Sequence, residues 1–258
     1  MPRPYSECSA VLTGSSGGIA FEIACQLAEA GVPRIMLNGR NPETGRQAVE
    51  RLQRRVPGAD VRFTTADMTR HADAARLMKA AVDAFGGFDI LFNSIGGEKA
   101  PGVFERVKPE QIDAALYSHL GSVMFSCLAA MPILIVRGGG TIVNIASDAG
   151  KVATPGEAII GGCKAGVMMF SRTLALEASR HGIRVHCLTP SIVRDTNAYD
   201  RVMADDFSRK LFQRAEAKAR LGVVLPSDIA PLAVFLCGPG AAKITGQAIS
   251  VNGGISAA

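Results

Sequence analysis

A glycine-rich turn near the start of the chain constrains the fold more than any other feature. Residues 10–12 form a short apolar run, residues 13–18 read Thr-Gly-Ser-Ser-Gly-Gly, and apolar residues then recur at helical spacing through residue 27. This order predicts a strand, a tight turn and an amphipathic helix. Glycines admit backbone angles closed to other residues and let a ligand approach the main chain. Because the free N–H groups at a helix start favour an anion, the turn indicates a phosphate-binding site; taken alone, a ligand-free turn fits comparably well.

The rest of the chain alternates between apolar strands and helices. We expect further strands at residues 34–38, 61–65, 88–92, 141–145, 183–188 and 248–251, and helices at residues 44–56, 71–85, 109–135 and 157–181. Continuously apolar strands separated by helices indicate a parallel sheet with helices on both faces. No linker or repeat divides the chain. We therefore predict a single α/β domain over residues 1–258, built on a doubly wound parallel sheet of about seven strands.

Composition narrows the class of protein. Of the 258 residues, 48% are hydrophobic and 20% are charged, which favours a sizeable core over a disordered chain. The net charge of +5 fits an anionic cofactor or an ordinary basic surface. Nucleic-acid binding would need a concentrated basic stripe, and we expect no nucleic-acid partner.

The cysteines and the apolar runs bear on the cellular compartment of the protein and on membrane association. The six cysteines form no CxxC pair, which favours buried free thiols in a reducing compartment over a zinc site. The first eight residues are polar and short, and we expect no apolar run of membrane-spanning length. The sequence therefore predicts a cytoplasmic protein with no metal site and no membrane association.

Small and polar residues follow the ends of the predicted strands. In open parallel sheets, ligands bind beyond the carboxyl ends of the strands. The residues at these ends are Thr13, Gly14, Arg40, Asp67, Asn93, Ser147 and Pro190. We therefore predict one functional cleft along this edge of the sheet.

Several ordered motifs resemble those of the short-chain dehydrogenase/reductase family, over nearly the whole chain. Thr13-Gly14-x-x-x-Gly18-Ile19-Ala20 resembles the family's TGxxxGIG turn, 93–96 resembles its NNAG, and 252–254 resembles a C-terminal motif. The resemblance implies a Rossmann-like domain that moves a hydride between a nicotinamide cofactor and an alcohol or carbonyl. It implies a cofactor site formed by Gly14, Ser16, Gly18, Ile19, Arg40, Asp67, Met68, Asn93, Gly96, Lys164, Pro190 and Ile192.

Arg40 bears on the choice of cofactor. Relatives that prefer NAD carry an acidic residue at the end of the second strand, where this chain has Gly39 followed by Arg40. A guanidinium group can hold a 2′-phosphate through charge-assisted hydrogen bonds. We therefore expect NADP(H) to be preferred over NAD(H). Stacking of Arg40 on adenine, or its exposure to solvent, is the alternative.

The catalytic positions depart from the family pattern, which consists of Ser, Tyr and Lys with an Asn on a neighbouring helix. Ser147 and Lys164 fall at the Ser and Lys positions, but Ile160 stands four residues before Lys164, where the Tyr is expected. Ile160 cannot transfer a proton. His119 falls at the helical Asn and is the candidate to supply or relay the proton, because imidazole titrates near neutral pH. A structural replacement of the Asn explains His119 equally well.

Two further residues have weaker claims. Tyr199 lies in the predicted substrate loop, residues 194–220, and fits an exposed loop aromatic better than a group that reaches the site. Glu157 fits a first-turn carboxylate favoured by the helix dipole. It stays an outside candidate for proton transfer.

Three functions compete. The largely intact cofactor motifs favour an NADP(H)-dependent oxidoreductase that interconverts a carbonyl and an alcohol on a small molecule which the sequence does not identify. The absent Tyr leaves open a non-redox dehydratase, isomerase or cyclase in a biosynthetic pathway, and a catalytically silent nucleotide-binding subunit. The resemblance also implies a homotetramer or a homodimer formed through the long helices.

Overall fold

The central sheet of the computed structural model, which describes residues 3–97 and 102–258, has seven parallel strands. They are β1 Ser9–Thr13, β2 Arg34–Gly39, β3 Asp60–Thr65, β4 Ile90–Asn93, β5 Gly140–Ile145, β6 Ile183–Pro190 and β7 Ala248–Val251, in the order β3-β2-β1-β4-β5-β6-β7. Ala10 of β1 pairs with Ile35 of β2 and with Ile90 of β4. The strand order reverses between β1 and β4, where doubly wound sheets open a ligand crevice.

Nine α-helices accompany the strands in the described residues. They are α1 Gly18–Glu29, α2 Pro42–Arg55, α3 His71–Phe85, α4 Pro109–Ala115, α5 Ser122–Val136, α6 Ala158–Ser179, α7 Asn197–Ala204, α8 Asp206–Glu216 and α9 Pro226–Cys237. A π-helical turn, Leu116–Gly121, joins α4 to α5.

Helices cover both faces of the sheet. On one face, α1, α2 and α9 contribute Ile23, Leu27, Leu52 and Leu236 to a buried cluster. On the other, α3, α5 and α6 contribute buried residues that include Leu77, Leu134 and Val167. Strands buried on both sides explain the unbroken apolar runs in the sequence. The predicted fold class, a Rossmann-like doubly wound parallel sheet of about seven strands, is confirmed.

Local signals set the helix ends. The Asn41 Oδ1 atom accepts from the N–H groups of Glu43 (2.8 Å) and Thr44 (3.2 Å), and Pro42 occupies the first turn of α2. The helix α2 therefore starts two residues before its predicted position. Gly86, with φ 74°, ends α3 in the left-handed conformation that glycine adopts without strain.

The predicted substrate loop, residues 194–220, contains two helices. The Thr196 Oγ1 atom accepts from the N–H of Tyr199 to cap α7, and the Asp205 carboxyl accepts from the N–H of Ser208 to cap α8. The sequence pattern also gave no element for α9. Residues 109–135, predicted as one helical stretch, are helical but contain the π-turn.

Two helical stretches, Pro109–Val136 and Ala158–Ser179, are long and apolar enough to cross a membrane by length and composition alone. The expectation that no stretch reaches this length is therefore wrong. In the fold, one face of α5 and one face of α6 pack against the sheet, and core helices of the same kind pass the same test.

A buried carboxylate fastens the amino edge of the sheet. Asp89, which is 4% exposed, accepts from the N–H of Ser9 (2.9 Å), from Arg3 (2.6 Å) and from Arg137 (2.9 Å). These bonds join the start of β1, the segment before it and the residue that follows α5. The two arginines are partly exposed, so water can solvate them when the carboxylate is lost, whereas Ser9 is buried.

We predict that Asp89→Ala lowers the free energy of unfolding by about 2–3 kcal/mol, because it leaves the buried N–H of Ser9 without an acceptor and removes two ion pairs. Urea denaturation followed by circular dichroism measures this change. The control is Asp60→Ala, which removes an exposed pair with Arg62 and should cost less than about 0.5 kcal/mol. Equal effects of the two substitutions would contradict the assignment of Asp89 as the fastening group.

Candidate active site

A cleft runs along the carboxyl edge of the sheet. A cavity of about 1100 Å³ and a smaller one of about 380 Å³ share several lining residues and so adjoin each other. The shared residues are Gly14, Ser16, Ser94, Ile95, Gly96, Gly97, His119 and Ile160. This is the edge that the sequence predicted for the functional cleft.

The glycine turn forms the floor of the cleft. Gly14 and Gly18 each have φ +59°, and a Cβ on Gly14 would lie 2.2 Å from the carbonyl oxygen of Ser94. The helix α1 begins at Gly18 without a side-chain cap, so its first N–H groups keep their capacity for an anion. Gly18 and Ile19 line the smaller cavity, and Ser16 lines both.

The ends of β2 and β3 line the larger cavity. Arg40 is exposed there, next to Gly39, and Asp67 and Met68 follow β3 on the same wall. The Asp67 Oδ1 atom accepts from the N–H (3.0 Å) and the hydroxyl (2.8 Å) of Thr69, which fixes the carboxyl orientation.

Asn93 lies behind the cleft and lines neither cavity. Its Nδ2 donates to the Oδ1 of Asn144 (2.9 Å), and its Oδ1 accepts from the hydroxyl of Thr13 (3.1 Å). Both neighbours are buried, as is Asn93 itself. Asn93 therefore ties β1, β4 and β5 together beneath the site, while the other predicted cofactor residues line the cleft.

Lys164 is buried in the wall of the smaller cavity. Its Nζ donates to the carbonyl oxygens of Ile145 (3.0 Å) and Ile95 (3.5 Å). Burial lowers the pKa of Lys164 to about 8, so the ammonium form still predominates at pH 7. Ser147 lies in the same wall, and its Oγ accepts from the N–H of Ala149 (3.2 Å).

His119 sits in the π-turn and is 8% exposed. Its Nε2 accepts from the N–H of Gly97 (3.1 Å), so the proton of the neutral ring lies on Nδ1, which has no partner among the described residues. Burial and then the charge of Lys164 lower the pKa of His119 to about 3. The expectation of an imidazole that titrates near neutral pH does not hold at this position.

Ile160 lines both cavities at the position where the sequence comparison expected a Tyr. The Tyr199 hydroxyl donates to Glu216 (3.1 Å), and the Tyr5 hydroxyl donates to the carbonyl oxygen of Val234 on the α9 side. Tyr117 lies on the wall of the larger cavity and is 55% exposed.

Two carboxyl groups, those of Glu157 and Asp148, contribute to the site in a way that the sequence pattern did not indicate. Glu157 lines the smaller cavity, and burial, followed by the charge of Asp148, raises its pKa to about 7. Asp148 is buried and accepts from the hydroxyl of Ser256 (2.7 Å). The position of Glu157, three residues before Ile160, was the available signal, but its burial depends on the folded loop.

Nearly the whole chain matches known proteins. A family model described as enoyl-(acyl carrier protein) reductase matches residues 14–256. Dehydrogenase/reductase SDR family member 4 of Homo sapiens is 30% identical over 97% of this chain and 88% of its own length. The chain belongs to the short-chain dehydrogenase/reductase family. Its relatives are short-chain oxidoreductases.

Two further members of the family bear on the cofactor. The D-beta-hydroxybutyrate dehydrogenase of Rhizobium meliloti (strain 1021) is 32% identical over 96% of this chain and 98% of its own length. The crystal structure of 3-ketoacyl-(acyl-carrier-protein) reductase from Brucella melitensis, complexed with NADH, has a TM-score of 0.86 at 26% identity, and covers 98% of this chain and 100% of that one. The likeness to the reductase complexed with NADH indicates a nicotinamide cofactor for this site.

The described residues fit such a cofactor. The uncapped start of α1 suits a pyrophosphate, and the buried ammonium of Lys164 suits ribose hydroxyls. No group of three or more His, Cys, Asp or Glu side chains suited to a metal occurs in residues 3–97 and 102–258.

Proposed function

We propose that this short-chain dehydrogenase/reductase is an NADP(H)-dependent oxidoreductase that interconverts a carbonyl and an alcohol on a small molecule. The observation that carries this proposal is the continuity of one cleft from Arg40, past the glycine turn, to Ser147 and Lys164. The bound nicotinamide supplies the hydride, and the protein supplies binding, orientation and the proton.

The cofactor residues divide into three groups in this proposal. The turn from Gly14 to Ile19 holds the pyrophosphate, and Asp67 with Met68 holds the adenine end. Gly96, Lys164, Pro190 and Ile192 surround the nicotinamide end, since they line the smaller cavity. Asn93 supports the wall from beneath.

Arg40 selects NADP(H) in this proposal. Arg40 lines the larger cavity beside Gly39, at a position where no carboxylate repels a 2′-phosphate. The guanidinium fork provides two parallel hydrogen bonds to a phosphate.

Ser147 and His119 orient the substrate oxygen in this proposal. The Ser147 hydroxyl, which accepts from the N–H of Ala149, remains able to donate. The ring of His119 lines both cavities and is neutral at pH 7, so it orients the substrate oxygen without supplying a charge. The segment 194–220 serves as the substrate loop, because Asn197, Tyr199 and Arg201 line the smaller cavity.

We also propose that the protein is a homotetramer or a homodimer in the cytoplasm. Leu128 and Val136 on α5, and Met169 and Leu176 on α6, are 59–88% exposed. Apolar side chains this exposed on the outer faces of two long helices favour association. The six cysteines are buried and free, which supports a reducing compartment.

The hydride reaction is tested with NADPH deuterated at C4 of the nicotinamide and acetoacetyl-coenzyme A as the carbonyl probe, chosen because the relatives are named for 3-ketoacyl and beta-hydroxybutyrate compounds. We expect deuterium on the carbinol carbon of the product and one NADPH consumed per alcohol, measured by mass spectrometry and absorbance. Product formed without NADPH oxidation would support the non-redox alternative. NADPH binding without turnover would support the silent subunit.

Arg40→Ala tests the cofactor preference. We expect it to weaken NADPH binding by about tenfold or more, because charge-assisted hydrogen bonds to the phosphate are lost, and to change NADH binding less than about threefold. Cofactor fluorescence titration measures both dissociation constants. Arg54→Ala, at an exposed position of α2, is the matched control. An equal loss for NADPH and NADH would indicate stacking on adenine instead.

Sedimentation velocity tests the oligomeric state. We expect a species of two or four chains for the unaltered protein, and its dissociation in Leu176→Glu, because burying a carboxylate in an apolar interface is unfavourable. Gln53→Glu, which makes the same change of charge at an exposed position of α2, should leave the mass unchanged. A monomer for the unaltered protein would refute the proposal.

A further inference from the structure

The smaller cavity needs a proton source other than a phenol. Ile160 occupies the position of the expected Tyr, and the Tyr199 hydroxyl is held by Glu216. His119 cannot act as the acid, because its pKa of about 3 leaves the ring neutral at pH 7. Lys164 lines this cavity, but its Nζ donates to the backbone carbonyl oxygens of Ile145 and Ile95. The remaining titratable carboxyl that lines this cavity in the described residues is that of Glu157.

Glu157 lies at the start of α6, three residues before Ile160, which occupies the position of the expected Tyr. Glu157 immediately precedes α6, Ile160 and Lys164 share one face of α6 at i, i+4 spacing, and all three residues line the smaller cavity. The Glu157 carboxyl does not cap the helix, and it makes no hydrogen bond or ion pair with any described residue. The half-buried position of the Glu157 carboxyl is therefore not explained by a structural partner among the described residues.

The surroundings of Glu157 favour its protonated form. Burial comes first among the causes that raise its pKa to about 7, and the Asp148 carboxyl comes second. The other titratable or charged side chains that line the same cavity are Lys164 of α6, His119 of the π-turn, and Tyr199 and Arg201 of α7. Near pH 7 the carboxyl is thus present in both protonation states, as a general acid–base group requires.

We infer that Glu157 is the catalytic acid–base residue of this site and replaces the phenol of the family. This inference rests on the proposed oxidoreductase function. In the reduction, the O–H bond of the Glu157 carboxyl breaks and its proton bonds to the substrate oxygen, while the carbonyl carbon accepts the hydride that NADPH loses in becoming NADP⁺. Water then reprotonates the carboxylate. In the oxidation, the Glu157 carboxylate accepts the alcohol proton.

Five proteins test the inference: the unaltered chain, Glu157→Gln, Glu177→Gln, Ile160→Tyr and the double variant Glu157→Gln/Ile160→Tyr. Glu177 is the matched control, because it is an exposed glutamate on the same helix. Each is assayed for acetoacetyl-coenzyme A reduction with NADPH, for NADPH affinity by fluorescence, and for thermal unfolding. Carboxyl ¹³C NMR of the unaltered chain and Glu157→Gln follows the titration of Glu157 without any substrate.

We expect Glu157→Gln to lower kcat by about 100-fold or more, with NADPH affinity and thermal unfolding unchanged, and Glu177→Gln to change nothing. The reduction rate of the unaltered chain should fall as pH rises through about 7, because the acid loses its proton. In the Ile160→Tyr background, the Gln substitution should alter kcat less than threefold, since the introduced phenol supplies the proton. The NMR titration should have its midpoint near neutrality.

Retained activity in Glu157→Gln, or a carboxyl that titrates near its ordinary pKa, would overturn the inference. So would an inactive unaltered chain that gains reduction through Ile160→Tyr; that result would leave the proposed hydride chemistry of the site standing. Loss of NADPH binding in Glu157→Gln would assign the carboxyl to cofactor binding instead. If neither the unaltered chain nor Ile160→Tyr reduces the probe while both bind NADPH, the proposed function fails and the inference fails with it.

Discussion

The site depends on the close passage of the first turn over the backbone that follows β4. A side chain at Gly14 would meet the carbonyl oxygen of Ser94 at 2.2 Å, and its φ of +59° further restricts the position to glycine. This passage sets the start of α1 at the crevice between β1 and β4. Asn93 and Asn144 hydrogen-bond beneath it, so backbone packing and buried amides fix the phosphate-binding turn relative to the opposite wall.

The same crevice holds a cation at a cost to stability. The pKa of Lys164 falls from 10.5 to about 8 on burial, which corresponds to about 3 kcal/mol of disfavoured charge. The unfolded chain binds this proton more tightly, so the cost is fully present below pH 8 and fades as pH rises toward 10.5. The carbonyl oxygens of Ile145 and Ile95 offset part of it. A side chain that stays charged in a cleft, although burial disfavours its charged form, is typical of functional sites.

Alternating apolar runs were sufficient to predict the sheet, because strands buried on both faces leave an unambiguous pattern. The direction of a single side chain was harder to predict from the sequence. Asn93 ends a strand as predicted, but its side chain points behind the cleft, because successive side chains of a strand point to opposite faces of the sheet. The helices within residues 194–220 were obscured by mixed charges, although Thr196 and Asp205 are ordinary capping signals. The raised pKa of Glu157 could not be predicted from the sequence, because it depends on burial in the fold and on Asp148, nine positions earlier in the chain.

The exchange of a phenol for a carboxyl changes what the surroundings must do. A phenol near pKa 10 needs a neighbouring cation to lower its pKa toward neutrality, whereas a carboxyl needs burial and a nearby anion to raise it. Glu157 and Lys164 are seven residues apart, about 10 Å along the helix axis, with the apolar Ile160 between them. Accordingly, burial and Asp148 govern the pKa of Glu157, and Lys164 is not among its causes. The spacing of these two residues along α6 thus keeps both groups in one cleft without an ion pair that would lower the pKa of Glu157.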